Sequence, residues 1–565
     1  MSRLLEGLNE EQRQAAITIS GPVLVSAGPG TGKTLTIVRR IAYLVDHGVR
    51  PEEIIAVTFT NRAAREMRER VDEFMGSRAS GMFIGTFHLL GLRIIKENLK
   101  NGMAVCDRRR QIDILEPLSG GRRRAEQMAE AISRIKSLME EPQDMEVSKL
   151  CKAYDDELRR QSLYDFDDLI RIPLAILDDE AVAAQYKKVF RYVMVDEYQD
   201  INQAQHRLTR RLTDGDSNIC AVGDPDQAIY AFRGADMKNF LNFETDFPGA
   251  SMITLTRNYR SSKTILDAAS GVIRHNRERP AKNIEAIRAR GMEITVISAP
   301  DERREAEIIV KEIESRMGGT SHYDLMKRTD DFDCSDGSCG FLDFAVIFRT
   351  NSQVKVLEEA FFESGMPYRV VRGEASAGIK QVAEALKERA DESLSVLDIH
   401  DFVIALCEEK DVTEDDLAFL CQITYAYGSL PASEAIDAVL NELVLLSTGD
   451  GYDSRAQAIT LMTMHAAKGL EFKVVFIAGV EDGLIPFGIV AEKTEIEEER
   501  RLFYVGMTRA KDELLLTRAR SRFLRGRRNV SRPSPFLLEI PKEFIKERVV
   551  EDKRLAQKQR QMKLF

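Results

Sequence analysis

The stretch AlaGlyProGlyThrGlyLysThr at 27–34 follows the apolar run ProValLeuValSerAla (22–27) and precedes a helical pattern, and it narrows the possible folds more than any other feature. Gly28, Gly30 and Gly32 let the backbone curl so that N–H groups face an anion at a helix N-terminus. Ala27 stands where the strict G-x-x-x-x-G-K-[ST] pattern has its first glycine. Lys33 can still reach the β- and γ-phosphates of a nucleotide, and the Thr34 hydroxyl can ligate Mg²⁺. A strand, a phosphate loop and a helix in that order begin a parallel α/β sheet, with the chemistry at the C-terminal ends of its strands.

A second motif, ValAspGluTyrGlnAsp at 195–200, ends another apolar run. An aspartate at a strand end, Asp196, can hold Mg²⁺ through water, while Glu197 beside it can orient a water for attack on the γ-phosphate. Further apolar runs at 54–59, 192–197 and 219–224 continue the first α/β series. Residues 96–190 are helical in pattern and charged. A second strand-and-helix series begins near 293, includes 344–351, and resumes at 458–463 and 474–479 after a mostly helical interruption. No short solenoid repeat is present.

A chain of 565 residues exceeds one hydrophobic core, and 44% hydrophobic with 30% charged residues describes a folded protein rather than a disordered one. Seven scattered cysteines fit reduced thiols; the close pair Cys334 and Cys339 lacks two further zinc ligands nearby and reads as part of a loop. No apolar run reaches the ~18 residues of a membrane span, so a cytoplasmic protein with no membrane partner is expected. The net charge of −10 leaves nucleic-acid binding to local basic groups, of which 108–110, 122–124 and 518–532 are the densest.

The motifs together resemble superfamily 1A helicases of the UvrD/Rep/PcrA type, in family order from Gln12 to about residue 520. The resemblance implies two RecA-like parallel-sheet P-loop motor domains, an α/β architecture, each with a mainly helical insertion. The expected divisions are 1–95 with 191–262 for the first motor domain and 96–190 for its insertion. They continue with 263–372 and 452–548 for the second, 373–451 for a reduced second insertion, and 549–565 for a flexible tail.

In that resemblance Gln12, within LeuAsnGluGluGlnArgGlnAlaAla (8–16), reads adenine, and Gly28, Gly30, Thr31, Gly32, Lys33 and Thr34 hold ATP. Asp196 and Thr34 hold Mg²⁺, Glu197 is the catalytic base and Gln227 senses the γ-phosphate. AsnTyrArgSerSer (258–262) supplies Tyr259 to stack on adenine and Arg260 as one arginine finger; ValGlyMetThrArgAlaLys (505–511) supplies Arg509 as another. Arg260 is expected near the end of the first core and Arg509 in the second, so that hydrolysis would depend on closure. Glu471 is similar to the residue that meets the ribose.

The nucleic-acid track implied by the resemblance comprises Phe59, Asn61, Thr86, His88, Tyr230, Phe232, Asn351, Thr463 and His465. Hydroxyls, amides and imidazoles suit sugar and phosphate, which carry no base code. Tyr230 and Phe232 resemble a base-stacking platform, with phenylalanine where tryptophan is usual. The family's activity, ATP-driven 3′→5′ movement on single-stranded or tailed duplex DNA in repair or replication restart, is the leading expectation. RNA shares the same sugar-phosphate chemistry.

Two departures shape the alternatives. Only about 80 residues separate ArgValValArgGly (369–373) from the motif beginning near 458, shorter than the family's usual insertion. Unwinding is therefore expected to be weaker than ATP hydrolysis, and a DNA-stimulated ATPase that strips proteins or remodels DNA is the main alternative. A nucleotide-switched binding module is a third reading, disfavoured by a complete set of base, sensor and arginines. The tail ends GlnMetLysLeuPhe, in which Gln561, Leu564 and Phe565 resemble a peptide that docks on a sliding clamp.

Overall fold

The computed structural model describes residues 3–551 except 100–103, 143, 214–217, 278, 281, 319–338, 372–376, 389–398, 411, 413, 426–434, 437–438, 441–442, 444–456, 489–492 and 525. Cys334, Gln561, Leu564 and Phe565 therefore lie outside the described residues. The chain forms two compact units. One contains Met1–Gly28, Gly32–Thr256 and Gly373–Gly451; the other contains Pro29–Thr31, Arg257–Arg372 and Tyr452–Phe565. Residues 257–262 are grouped with the second unit.

The first unit is organised by β1 (Val23–Ala27), β2 (Ile54–Thr58), β3 (Phe83–Thr86), β4 (Tyr192–Val195), β5 (Asn218–Gly223) and β6 (Ser251–Leu255). They lie in the order β3-β2-β4-β5-β1-β6, every pairing parallel. All five residues of β2 are buried, as the unbroken apolar run IleIleAlaValThr requires when both faces of a sheet are covered. Two apolar layers do the covering, one including Leu24, Val57, Phe87 and Leu208, the other Val25, Ile41, Ala56 and Met67. Because the strands are parallel, the segments after β1, β4 and β5 emerge at the same edge, where the two sequence motifs meet.

The first insertion is built from helices Arg108–Ser119, Arg122–Leu138 and Met145–Arg160 around Leu115, Ala129, Ile132 and Tyr154. A short parallel pair, Ala104–Val105 with Leu163–Tyr164, interrupts its helical character. At its base the buried Lys136 ammonium meets Asp165 at 2.7 Å, Asp168 at 2.9 Å and Asp155 at 3.1 Å. Burial opposes that charge, but the three carboxylates outweigh it and hold Lys136 protonated. The shorter segment from 373 has helices Ala377–Glu388, Ile399–Glu409 and Glu414–Tyr425, with Val382, Leu386, Val403, Leu406 and Leu420 forming an apolar cluster of its own.

The second unit carries β7 (Ile294–Asp301), β8 (Phe344–Phe348), β9 (Tyr368–Val370), β10 (Ile459–Thr463), β11 (Phe472–Ile477), β12 (Ala510–Leu524), β13 (Arg527–Val530) and β14 (Ile545–Val549). Their order is β9-β10-β8-β11-β12-β7-β14, with β13 folded back antiparallel on β12. Ile309, Val346, Phe348, Phe361, Leu461 and Phe476 are central to its core. No helix among the described residues is long and apolar enough to cross a membrane.

Candidate nucleotide and nucleic-acid site

The phosphate loop has the backbone its glycines imply: Gly30 and Gly32 adopt φ of 64° and 83°, a region closed to most side chains. Gly32 caps helix Lys33–Asp46 without any side-chain hydrogen bond, so the first-turn amides remain oriented for an anion. Gln12 is buried and shares a capping box with Asn9, each side chain bonding the other's backbone N–H at 2.8 and 3.0 Å. Its amide lies against Gly32, where an added Cβ would meet Nε2 at 2.6 Å. Gln12 is thus at the loop, with Oε1 already engaged in the cap.

The second motif lies at the end of β4. Lys33 Nζ and Glu197 Oε1 are 2.8 Å apart, joining the loop to the carboxylate motif in one ion pair. Asp196 is buried, and its Oδ1 accepts from Glu197 N at 2.9 Å. Glu197 has φ 51°, a left-handed backbone that costs a non-glycine residue about 1–3 kcal/mol and tends to persist at functional sites. Thr34, in the first turn of the loop helix, and Asp196 offer one hydroxyl and one carboxylate. These hard donors fit a Mg²⁺ that draws its remaining ligands from water and phosphate.

Two residues not singled out in the sequence complete this part of the site. Gln199, 0% exposed, donates through Nε2 to Glu197 Oε2 at 2.5 Å and to Asp200 Oδ2 at 2.8 Å. Its Oε1 accepts from Asp224 N at 2.8 Å, and Asp224 Oδ2 accepts from Gln227 Nε2 at 2.6 Å. Lys33, Glu197, Gln199, Asp224 and Gln227 therefore form one connected polar chain. Gln199 sits inside the motif at 195–200, and Asp224 closes the apolar run 219–224, three residues before Gln227.

In the second unit, Arg260 Nε donates to Glu471 Oε2 at 2.7 Å, and Lys511 Nζ lies 2.8 Å from Glu471 Oε1. Burial would raise the Glu471 pKa, but Arg260 and Lys511 pull it down to about 2. The Arg260 segment is stitched to the start of β12: Ser262 N donates to Lys511 O at 2.9 Å and Ser261 Oγ to Ala510 O at 2.7 Å. Pro29 O accepts from Asn258 Nδ2 at 2.6 Å and Gly30 O from Tyr259 N at 2.9 Å, while the Tyr259 ring is half exposed. Arg260 and Arg509 both stand on the second unit.

Arg509 differs from Arg260 in its surroundings. It is 1% exposed and donates to Val505 O at 2.9 Å, Leu470 O at 3.1 Å and Thr508 Oγ1 at 3.1 Å. In this conformation its guanidinium supports the backbone of its own unit.

The nucleic-acid candidates divide between the units. In the first, Phe59 and Tyr230 stack with centroids 4.6 Å apart, and Tyr230 is only 3% exposed. Phe232 lies 6.0 Å from Tyr230, is 65% exposed, and shares Arg233, whose Cζ is 5.7 Å from both rings. Phe232 is thus the exposed ring of the group, and Tyr230 and Phe59 form a packed pair behind it. Thr86 accepts from Leu89 N at 3.3 Å at the start of its helix, and Asn61 is buried in the first turn of helix Asn61–Met75. His88 packs on Phe166 at 4.1 Å; burial, then the charge of Arg233, pushes its pKa down to about 3. Phe166, partly exposed between acidic residues, was missed in the sequence.

In the second unit, exposed Asn351 opens a short turn at the end of β8, next to Arg349, which grips Glu499 through bonds of 2.6 and 3.0 Å. Thr463 accepts from Ala466 N at 3.3 Å, and His465 is half buried two residues on. Of the basic run 518–532, Arg522 is buried against Glu481 at 2.7 Å and Glu305, Arg518 bonds Ser298 at 2.9 Å, and Arg527 and Arg528 remain exposed. Part of that cluster is thus internal structure.

Residues 8–248 match the model of the UvrD/REP helicase N-terminal domain. Residues 253–376 and 375–521 match that of the UvrD-like helicase C-terminal domain, in two pieces that meet where the second insertion begins. The chain is 33% identical to proteins named ATP-dependent DNA helicase PcrA from Staphylococcus epidermidis and Staphylococcus aureus, covering 96% of this chain and 88% of each relative. Those alignments run over 659 positions against 565 residues here, so the relatives carry segments that this chain lacks. Both halves of one family are present in order across nearly the whole length, and the chain belongs to the UvrD/REP helicases.

Proposed function

We propose that the chain is an ATP-dependent DNA helicase that translocates 3′→5′ on single-stranded DNA in the cytoplasm, acting in repair or replication restart on single-stranded and tailed duplex substrates. The observation that carries this reading is the Lys33–Glu197 pair at 2.8 Å, at the N-terminus of a helix with no side-chain cap and joined by Gln199 to the segment bearing Gln227. A binding module that does not turn over has no use for a glutamate held in a left-handed backbone beside such a loop. The names of the relatives from both staphylococci support ATP and DNA as its partners.

In this reading Lys33 leaves Glu197 for the phosphates and frees that carboxylate to take a proton from water. Gly28, Gly30, Thr31 and Gly32 cradle the phosphates, and Thr34 and Asp196 hold Mg²⁺, which supplies charge neutralisation on the phosphate oxygens. Gln12 and Tyr259 border the adenine, Glu471 the ribose, and Gln227 the γ-phosphate. Arg260 exchanges Glu471 for transition-state charge; Arg509 has the same role once it gives up its carbonyl partners. Phe232 stacks on bases, with Phe59 and Tyr230 behind it, while Asn61, Thr86, His88, Asn351, Thr463 and His465 contact sugar and phosphate. Gln561, Leu564 and Phe565 dock on a sliding clamp; a chain ending at Gln559 that binds clamp as well as the full chain would refute this docking.

The test is ATP-dependent strand displacement from matched duplexes with a 3′ or a 5′ tail, with Lys33→Ala as the inactive control. Displacement from the 3′ tail alone is expected. Displacement from the 5′ tail, or an active K33A, would reject the reading. The length missing relative to the PcrA proteins favours a second one, a DNA-stimulated ATPase that removes bound proteins with little unwinding; ATPase without displacement from either tail would select it.

A further inference from the structure

Helix Glu10–Ile17, which carries Gln12, has only 8 residues, too few to persist alone, so its place depends on what ties its two ends. At the N-terminal end the capping box settles which way round the Gln12 amide sits. Asn9 N–H can only donate, so the atom facing it at 3.0 Å is the carbonyl Oε1, and Nε2 is the end that lies against Gly32. An amide held in this direction presents an acceptor beside a donor. Adenine offers the matching pair, the N6 donor beside the N7 acceptor, whereas guanine would set its O6 acceptor against Oε1.

The C-terminal end is held from the phosphate-loop helix, on which the short helix packs. Arg40, on Lys33–Asp46 and 1% exposed, donates from Nη1 to Ala15 O at 2.7 Å and to Thr18 O. Ala15 O is among the last four carbonyls of Glu10–Ile17, which lack partners within the helix, and a cation at that end matches the helix dipole. The carbonyl before it, Gln14 O, accepts from Thr18 N at 3.0 Å and Thr18 Oγ1 at 2.8 Å. Arg40 Nη2 is buried with no hydrogen-bond partner among the described residues, a desolvation cost that the fold carries for what Nη1 holds. Ala15 and Ala16 are fully buried, so the short helix lies flush on its neighbours with little room to shift. Lys33 begins the helix that bears Arg40 about two turns later. One helix thus starts at the phosphates and fixes the register of the glutamine beside them.

We propose that Arg40 is a positioning residue for base recognition: by holding the far end of Glu10–Ile17 on the phosphate-loop helix, it keeps Gln12 in the capped direction that accepts adenine and rejects guanine. The proposal rests on the reading of Gln12 as the purine contact. Arg40 is buried and presents no surface to a nucleotide, so its effect runs through the short helix alone. With Arg40 in place the Gln12 amide has one direction; without it the helix shifts or frays, the amide turns, and discrimination between the bases falls while the phosphates are still held.

The experiment compares full-length wild type with Arg40→Met and Arg40→Lys, using Gln12→Ala as the reference for a lost base contact. It measures kcat and KM for ATP and for GTP with saturating oligo-dT, the inhibition constant of inorganic tripolyphosphate, which has phosphates and no base, and the thermal midpoint. Arg40→Met should lower the ratio of kcat/KM for ATP to that for GTP by about tenfold, the size of one bidentate base contact, through the KM for ATP rather than kcat. Tripolyphosphate inhibition should stay within about twofold of wild type. Arg40→Lys, which keeps the charge as a point donor without the planar fork, should give an intermediate ratio. A wild-type ratio in Arg40→Met while Q12A has lost its preference would overturn the proposal; if Arg40→Met does not fold, a wild-type ratio in Arg40→Lys does the same. Equal weakening of ATP, GTP and tripolyphosphate with a lowered thermal midpoint would reduce Arg40 to a structural residue and likewise overturn it. A wild type without preference for ATP, or a Q12A that retains it, would remove the reading of Gln12 on which the inference depends.

Discussion

Each unit places a candidate catalytic cation on a glutamate, yet the two glutamates are held in different ways. In the first unit Glu197 has Lys33 on one oxygen and the neutral amide of Gln199 on the other, on a strained backbone. In the second, Glu471 lies between two cations, Arg260 and Lys511, and its pKa is drawn down to about 2. A carboxylate with a cation on one side and an amide on the other keeps a defined direction when the cation leaves. One between two cations is a counterion, and its loss mainly releases them. In the proposed reading the difference places proton chemistry in the first unit and movable positive charge in the second.

The sharpest way to break this comparison is to neutralise both glutamates. Glu197→Gln should lower kcat by about 10²–10⁴ with nucleotide binding retained, the usual contribution of a general base, whereas Glu471→Gln should leave kcat within about tenfold. Equal losses in steady-state ATPase assays would erase the distinction. The two arginines come next. Arg509→Ala removes a buried guanidinium from three oxygen partners and should destabilise the second unit by about 3–5 kcal/mol in urea unfolding. Arg260→Ala should abolish hydrolysis with little loss of stability.

A smaller contrast lies within the first unit: Phe232→Ala should weaken single-strand affinity by about 1–3 kcal/mol in fluorescence titrations, the value of one stacked base. Tyr230→Ala should instead act mainly on stability.

The smallest effects are those of pH. The His88 pKa is held down to about 3 from 6.5, so the unfolded chain takes the proton first and stability from this group falls as pH drops from 6.5 toward 3. The Glu471 pKa is lowered from 4.5 to about 2, so its contribution is complete above 4.5 and fades as pH falls toward 2. His88→Asn should remove the higher-pH part of the acid loss and Glu471→Gln the lower part, each by less than about 1 kcal/mol for a partly exposed group.

The parallel sheets were legible because unbroken runs such as IleIleAlaValThr have few alternatives to a strand buried on both faces. The phosphate loop was legible because its glycines and lysine occur in an order that chemistry restricts. Less legible was anything that depends on where a side chain turns. Tyr230 and Phe232 are two positions apart, yet one packs on Phe59 and the other faces solvent, since the turn Ala231–Arg233 breaks strand alternation. The surroundings of Arg260 were hidden because its neighbours Ser261 and Ser262 bond to Ala510 and Lys511, some 250 positions away. Gln199 was passed over because a glutamine beside two carboxylates looks like an ordinary turn until Asp224 is seen bonded to it.

The most direct test of the motor itself needs no duplex. Streptavidin bound at the 5′ or the 3′ end of a biotinylated single strand should be released by wild-type protein and ATP from the 5′ end, and by neither Lys33→Ala nor Glu197→Gln. Release only from the 3′ end, or release by E197Q at the wild-type rate, would contradict the account.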